Sequence, residues 1–384
     1  MKHVSGSLVA TTSFVLSLAV AELCLRVFAP VPDPYDKYKH GIPPNPYIKF
    51  EFPANYRLET QAEEGLPGVQ GHNRFTTNNM GFRGDPMTRS KPSREFRIFM
   101  VGGSTTECIY LDDSDAINRI LQTELHEHTS AAIDIKVYSA GQSGQCVDDH
   151  ISMIVHRLVH LQPDMLIVFC GINDLTKSIF HYDYAHYEST TVAKKYPVFM
   201  FVATEFQIPR RLYYVGKRLF ATDRETLEEI TGRSTYKKKI QLRKSVPESA
   251  DTPRTDLDSY VNNLKTIIGV AKAHRISLVF ITQQTTWNSA VDPEAKNWHW
   301  MRYRDGKTYR EDLMDEALEG FNNAMRQLGL EDSVPVYDLA RRMPKSLEFF
   351  YDDVHFNVKG AQTAGKGLAS FILEKNLIPN ALPQ

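Results

Sequence analysis

The 384 residues predict an α/β protein: a three-layer α/β/α sandwich around a mainly parallel five-stranded sheet, with an N-terminal transmembrane helix and a helical, aromatic insertion. Two observations predict it. From Phe96 onward, short apolar runs alternate with stretches of helical period, the rhythm of parallel strands joined by helical crossovers. One run, Met165-Leu166-Ile167-Val168-Phe169-Cys170, is apolar throughout, as a strand buried on both faces must be.

The chain begins outside that rhythm. Val4 to Ala21 carries no charged side chain, lies between Lys2-His3 and Glu22, and is extended by Leu23, Leu25, Val27 and Phe28. A helix needs ~20 apolar residues to span a bilayer, so residues 1–29 are expected to be a membrane anchor, with the rest of the chain exported. The alternative is a secretory signal cut after Ala19-Val20-Ala21. Residues 30–95 read as a proline-rich linker and N-terminal extension. Pro30, Pro32, Pro34, Pro43, Pro44 and Pro46 leave no helical period, and Arg74 to Arg83 looks like a short strand with an Asn-rich turn at Gly81, structural in purpose.

The main domain is expected over 96–384. Strands are expected at 97–101, 133–138, 165–170, 278–282 and 334–338. Helices are expected at 114–127 with Ser114 as N-cap, at 147–161 stopped by Pro163, and at 257–274, 311–328 and 359–374. An insertion at about 176–255 separates the third strand from the fourth. It is rich in tyrosine, phenylalanine and basic residues, with an apolar patch at 196–202 and a basic run at Lys237-Lys238-Lys239.

Composition excludes several classes. A hydrophobic fraction of 42% with 24% charged residues is that of a globular protein, not a disordered one. A net charge of -1 offers nucleic acid no electrostatic footprint. The four cysteines, Cys24, Cys108, Cys146 and Cys170, form neither a disulfide scaffold nor a CxxC zinc pair, and no metal or organic cofactor is implied. His156 and His160 have the i, i+4 spacing of zinc proteases, but His-Arg-Leu-Val-His lacks the glutamate of HExxH and reads as a solvated helix face.

The chemistry lies in the loops. Tyr351-Asp352-Asp353-Val354-His355-Phe356 puts a carboxylate three residues ahead of an imidazole, and Val101-Gly102-Gly103-Ser104-Thr105 supplies a hydroxyl. A serine hydroxyl is a weak nucleophile until an imidazole takes its proton and a carboxylate orients that imidazole, so these three types belong together in acyl transfer. Asp353 competes with Asp352 for the histidine. Such a reaction also needs donors for an oxyanion, and the backbone N–H groups of Ser104 and Gly144 with the side-chain amide of Asn173 can provide them. In a parallel sheet, ligands meet the loops beyond the carboxyl ends of the strands, where all of these residues are expected.

In this order, Gly103-Ser104, Ser139 to Gly144, Gly171-Ile172-Asn173-Asp174 and Asp352-Asp353-Val354-His355 resemble the four blocks of the SGNH hydrolases, the GDSL lipase/acylhydrolase family. The resemblance covers about Phe96 to the C-terminus without the insertion. It implies a flavodoxin-like sheet, Ser104 as nucleophile, His355 as base, Asp352 as its orienter, and Gly144 and Asn173 in the oxyanion hole. The anchor, the Asn-Xaa-Gly-Phe-Arg stretch and Gly-Gly-Ser-Thr-Thr-Glu look like membrane-anchored bacterial members, which implies an inner-membrane protein with a periplasmic domain. Gly103 replaces the family's usual aspartate, and Ser139 stands where asparagine is frequent, which weakens a support of that loop. The nucleophile elbow G-x-S-x-G of the α/β-hydrolases is absent.

The expected activity is hydrolysis of an O-acyl ester of a glycan or lipid through an acyl-serine. The alternatives are O-acyl transfer to a cell-envelope glycan, or an inactive membrane-tethered glycan-binding protein on the same fold. The insertion and the loop holding Trp287, Trp298 and Trp300 are expected over the rim, the tryptophans touching substrate. The insertion's basic residues and apolar patch could also rest on anionic lipid beside the anchor. A Cys108–Cys146 bridge could tie two site loops if they are neighbours. Nothing in the sequence sets the oligomeric state.

Overall fold

The computed structural model describes residues 2–31, 47–48, 51–61, 65–69, 71–179, 206–220, 236–304 and 306–379. The patch at 196–202, with His181 and His186, lies outside them. The chain divides into two compact units, one formed by residues 1–41 and 186–235, the other by 42–185 and 236–384.

In chain order, α1 (Lys2–Phe28) is followed by β1 (Arg57–Gln61) and β2 (His72–Thr76), an antiparallel pair. The α/β rhythm starts at β3 (Glu95–Gly102) and runs through α2 (Ser104–Glu107), α3 (Ile117–His128), β4 (Asp134–Ser139), α4 (Val147–His156), β5 (Met165–Phe169) and α5 (Ile172–Ile179). The insertion holds α6 (Gln207–Phe220), α7 (Tyr236–Ser245) and the short β6 (Glu248–Ser249). Then come α8 (Leu257–His274), β7 (Ser277–Ile281), α9 (Pro293–Trp298), β8 (Tyr303–Arg304), β9 (Lys307–Tyr309) and α10 (Glu311–Glu331). β10 (Val336–Tyr337), α11 (Leu339–Arg342) and α12 (Val358–Glu374) close the order.

The main sheet has the order β10-β7-β5-β3-β4, and every pairing in it is parallel. Alternation along β3 sends Phe99 and Val101 into one core, where they meet Val147 and Ile154 of α4, Leu264 of α8 and Phe321 of α10. Ile98 and Met100 enter the other, with Leu121 of α3 and Leu368 and Ile372 of α12. Both faces are covered, so the three-layer sandwich is as expected and the strands are apolar on both sides.

Several elements differ from the sequence reading. Ser114 does not cap α3; its hydroxyl donates to Asp112 Oδ1 at 3.1 Å, and the helix starts after Ala116. The helix expected to reach Leu161 ends at His156, where Arg157 leaves helical geometry with φ -138°, and a 3-10 turn, Leu158–Leu161, continues to Gln162 before Pro163. Ile48, Phe75, Phe82 and Met87, from the proline-rich extension and the strand after it, are buried. Arg83, from the Asn-rich turn, pairs its backbone with Ser139.

Candidate active site

Ser104 opens α2 directly after β3, so its hydroxyl stands at the carboxyl end of a central strand. As the first residue of the helix it has a backbone N–H with no intrahelical acceptor. Gly103 is needed just before it, because a Cβ there would lie 2.5 Å from Asn173 Nδ2.

Across the same edge, the loop after α11 folds back on itself. Tyr351 N donates to His355 O at 3.0 Å, Phe350 bridges Phe356, and Asn357 then caps α12 by accepting from Gly360 N at 3.0 Å. This brings Ser104 Oγ to 2.7 Å from His355 Nε2, and His355 Nδ1 to 2.7 Å from Asp352 Oδ2. Ser104 is half-buried, and His355 and Asp352 are buried.

All of Asp352's acceptor capacity is engaged. Oδ1 accepts from Val354 N at 2.9 Å and His355 N at 2.7 Å, and Oδ2 accepts from His355 Nδ1 and from Trp300 Nε1 at 2.9 Å. Burial alone would raise this carboxyl, but the His355 ring and the N–H groups around it outweigh burial and hold it at about 2. Asp353, next in sequence, faces away from the histidine. Its Oδ2 accepts from Met301 N at 2.8 Å, Trp287 Nε1 at 3.2 Å and Trp300 N at 3.3 Å, while burial and the charge of Asp352 push it up.

The tryptophan loop is therefore not the open platform expected. Trp287 is fully buried, with its indole N–H on Asp353, and cannot meet substrate. Trp298 is half-buried against the α3/α12 core. Trp300 holds Asp352 and lies parallel to the His355 ring, with centroids 6.5 Å apart; Tyr351 lies parallel to the same ring at 5.5 Å.

The loop after β4 brings Gly144 to the surface with φ 76°, a conformation that glycine adopts without cost. Ser139 supports this loop: its hydroxyl donates to Thr106 O at 3.1 Å and accepts from Gly141 N at 3.2 Å. Asn173 Nδ2 donates to Gln145 O at 2.9 Å while lying against Gly103, so one amide ties the loops after β3, β4 and β5. Asp174 accepts from Val147 N at 2.9 Å at the start of α4, and burial pushes its carboxyl up to about 7.

Two supports escaped the sequence reading. Arg83 is buried and donates to Glu107 O at 3.0 Å, Cys108 O at 2.9 Å, Leu111 O at 2.7 Å and Asp113 Oδ1 at 3.0 Å, fixing the chain that leaves Ser104. Glu107, at the end of α2, accepts from the Ser143 hydroxyl beside Gly144. Burial pushes it up to about 7, against the pull of Ser143, His355 and Arg83. The available signal was the acidic residue one helical turn after Ser104. Cys108 and Cys146 are free, buried thiols, and the Cys108 thiol donates to Thr105 O at 3.2 Å.

A hydroxyl, an imidazole and a saturated carboxylate in hydrogen-bonded series, at the carboxyl edge of a parallel sheet, are equipped to generate an alkoxide and attack an acyl carbon. Residues 100–363, more than half of the chain, match the family described as GDSL-like lipase/acylhydrolase. The chain belongs to this family and is a carboxylic ester hydrolase. No curated protein sequence matches it. Similar solved structures include a GDSL-like lipase from Parabacteroides merdae, 14% identical over 74% of this chain and 98% of that chain, with a TM-score of 0.42. TesA is 11% identical over 73% and 99%, with a TM-score of 0.42. Axe2, an acetylxylan esterase from Geobacillus stearothermophilus, is 13% identical over 77% and 100%, with a TM-score of 0.40.

Proposed function

We propose that the protein is a membrane-anchored serine esterase that removes an O-acyl group from a glycan or lipid of the bacterial cell envelope, its catalytic domain on the periplasmic side of the inner membrane. The observation that carries the reading is the pair of 2.7 Å contacts linking Ser104, His355 and Asp352. Ser104 Oγ attacks the ester carbon as its proton passes to His355 Nε2, and Asp352 holds Nδ1–H and stabilises the imidazolium. The N–H groups of Ser104, Gly144 and Asn173 receive the oxyanion. Collapse returns the proton from Nε2 to the leaving alcohol and leaves acyl-Ser104. Water, giving its proton to the same nitrogen, then releases the acid and restores the hydroxyl. The anchor reading is supported by Leu8–Phe28, 21 residues of mean hydropathy 2.0 with no burial in the fold.

The test is labelling of the full chain by a fluorophosphonate with mass-spectrometric mapping of the adduct, alongside p-nitrophenyl acetate turnover with and without a carbohydrate acceptor. Labelling is expected at Ser104, and Ser104→Ala should lose at least ~10³-fold in kcat with its melting temperature unchanged, since a half-buried hydroxyl leaves no cavity. An adduct elsewhere would refute the assignment. Turnover that requires the acceptor would make the protein an acyltransferase.

A further inference from the structure

One helix of the insertion is built unlike the rest. The sequence of α6, Gln207-Ile-Pro-Arg-Arg-Leu-Tyr-Tyr-Val-Gly-Lys-Arg-Leu-Phe220, holds Arg210, Arg211, Lys217 and Arg218 and no acidic residue. Ile208, Leu212, Val215 and Leu219 recur at i, i+4, i+7 and i+11 and so share one stripe; Arg210 and Lys217 fall on the opposite side, and Arg211 and Arg218 border the stripe. Leu212 on that stripe is 65% exposed, Val215 52% and Phe206 at the helix entry 42%, while Ile208 is half-buried.

Hydrogen bonds fix where α6 begins. Glu22 of the apolar α1 accepts from Gln207 N at 2.7 Å and Ile208 N at 3.0 Å, closing the first turn of α6 with a carboxylate. In return, Arg210 donates to Val31 O at 3.0 Å, Arg211 donates to Ala29 O, and Gln207 Oε1 accepts from Val31 N at 2.8 Å at the C-terminal end of α1. Arg26 lies over the Phe206 ring, 5.9 Å from its centroid. The start of α6 is thus tied to Glu22 within α1 and to the residues that follow α1.

The length of α1 sets the depth of this joint. Over Leu8–Phe28 a helix rises ~30 Å, the thickness of a bilayer's hydrocarbon core, so the C-terminal end of α1, where Arg211 meets Ala29 and Arg210 meets Val31, falls at a headgroup boundary. α6 is too short and too basic to cross the membrane, and its exposed stripe is too apolar for water. We infer that α6 is an interfacial helix lying in the headgroup layer of an anionic bilayer, with Leu212 and Val215 toward the acyl chains and its basic residues, Lys217 and Arg218 among them, at the level of the lipid phosphates. The inference rests on α1 being a membrane anchor.

The test uses the full chain reconstituted in vesicles of phosphatidylglycerol and acyl-brominated phosphatidylcholine. Val215→Trp adds emission to that of Trp287, Trp298 and Trp300, whose quenching in the parent is subtracted; p-nitrophenyl acetate turnover reports the fold. The added emission should lose about half its intensity to bromolipid and resist aqueous acrylamide. Lys217→Glu with Arg218→Glu should weaken that quenching in the anionic vesicles. Quenching by acrylamide alone overturns the inference, and so does shielding from both quenchers, which would mean that protein covers the stripe. Release of the chain by alkaline carbonate refutes the anchor itself. Retention without bromolipid quenching refutes only the interfacial helix.

Discussion

Asp352 and Asp353 are adjacent, buried carboxylates that divide two tasks, and the division can be measured. Asp352→Asn would place an amide donor against donors that now point at Oδ2, His355 Nδ1 and Trp300 Nε1. Its kcat should fall about 10²- to 10⁴-fold with little change in melting temperature. Asp353→Ala would instead strip a shared acceptor from Met301 N, Trp300 N and Trp287 Nε1. It should cost on the order of 3 kcal/mol in urea unfolding while per-molecule turnover stays within severalfold. If the two variants exchanged these signatures, Asp353 would be the partner of the histidine. Trp300→Phe keeps the ring beside His355 and removes only the donor to Asp352, so kcat should drop roughly tenfold with KM unchanged. A rise in KM at constant kcat would return Trp300 to the substrate contact first expected of it.

At the level of elements, the site is three strand-end loops pinned to one another. Asn173, on the first turn of α5, bonds the loop after β4 and lies against the loop after β3. Asn173→Ala should therefore lose about 10²- to 10³-fold in kcat, measured on p-nitrophenyl acetate, with KM little affected. An unaltered kcat would leave the oxyanion to the backbone donors alone. The core strands and long helices were legible because apolar period is a local property: α8 runs over the residues expected, and β5 falls short by one. The serine, histidine, aspartate and asparagine were legible because four short blocks in one order, each weak alone, resemble a known family. What the sequence concealed are partnerships across distance. Arg83 meets the carbonyls of Glu107, Cys108 and Leu111, and Trp300 meets Asp352, through contacts that no local period announces. β6 and β8, two residues each, are too short to carry a pattern at all.

For the molecule as a whole, stability should peak in mildly acid solution, because its buried carboxyls are shifted in opposite directions. Burial pushes both Glu107 and Asp174 up to about 7, above their unfolded values of 4.5 and 3.8. Groups raised in the folded state give stability that is complete below the unfolded pKa and is lost as pH rises through the folded one, here between about 4 and about 7. Asp352, held at about 2 by His355 and its N–H partners despite burial, works the other way: its contribution is present above about 4 and lost as pH falls through 2. Both kinds of group favour the folded chain near pH 4 to 5. Glu107→Gln keeps an oxygen for the Ser143 hydroxyl and removes one of the two ionisations. The variant should be nearly neutral at pH 4 and more stable than the parent by on the order of 3 kcal/mol at pH 8. Urea midpoints across that range measure the difference. A gap that stays constant with pH would mean that Glu107 is already ionised in the folded protein, and that its hold on the loop of Gly144 is a carboxylate's rather than a carboxylic acid's.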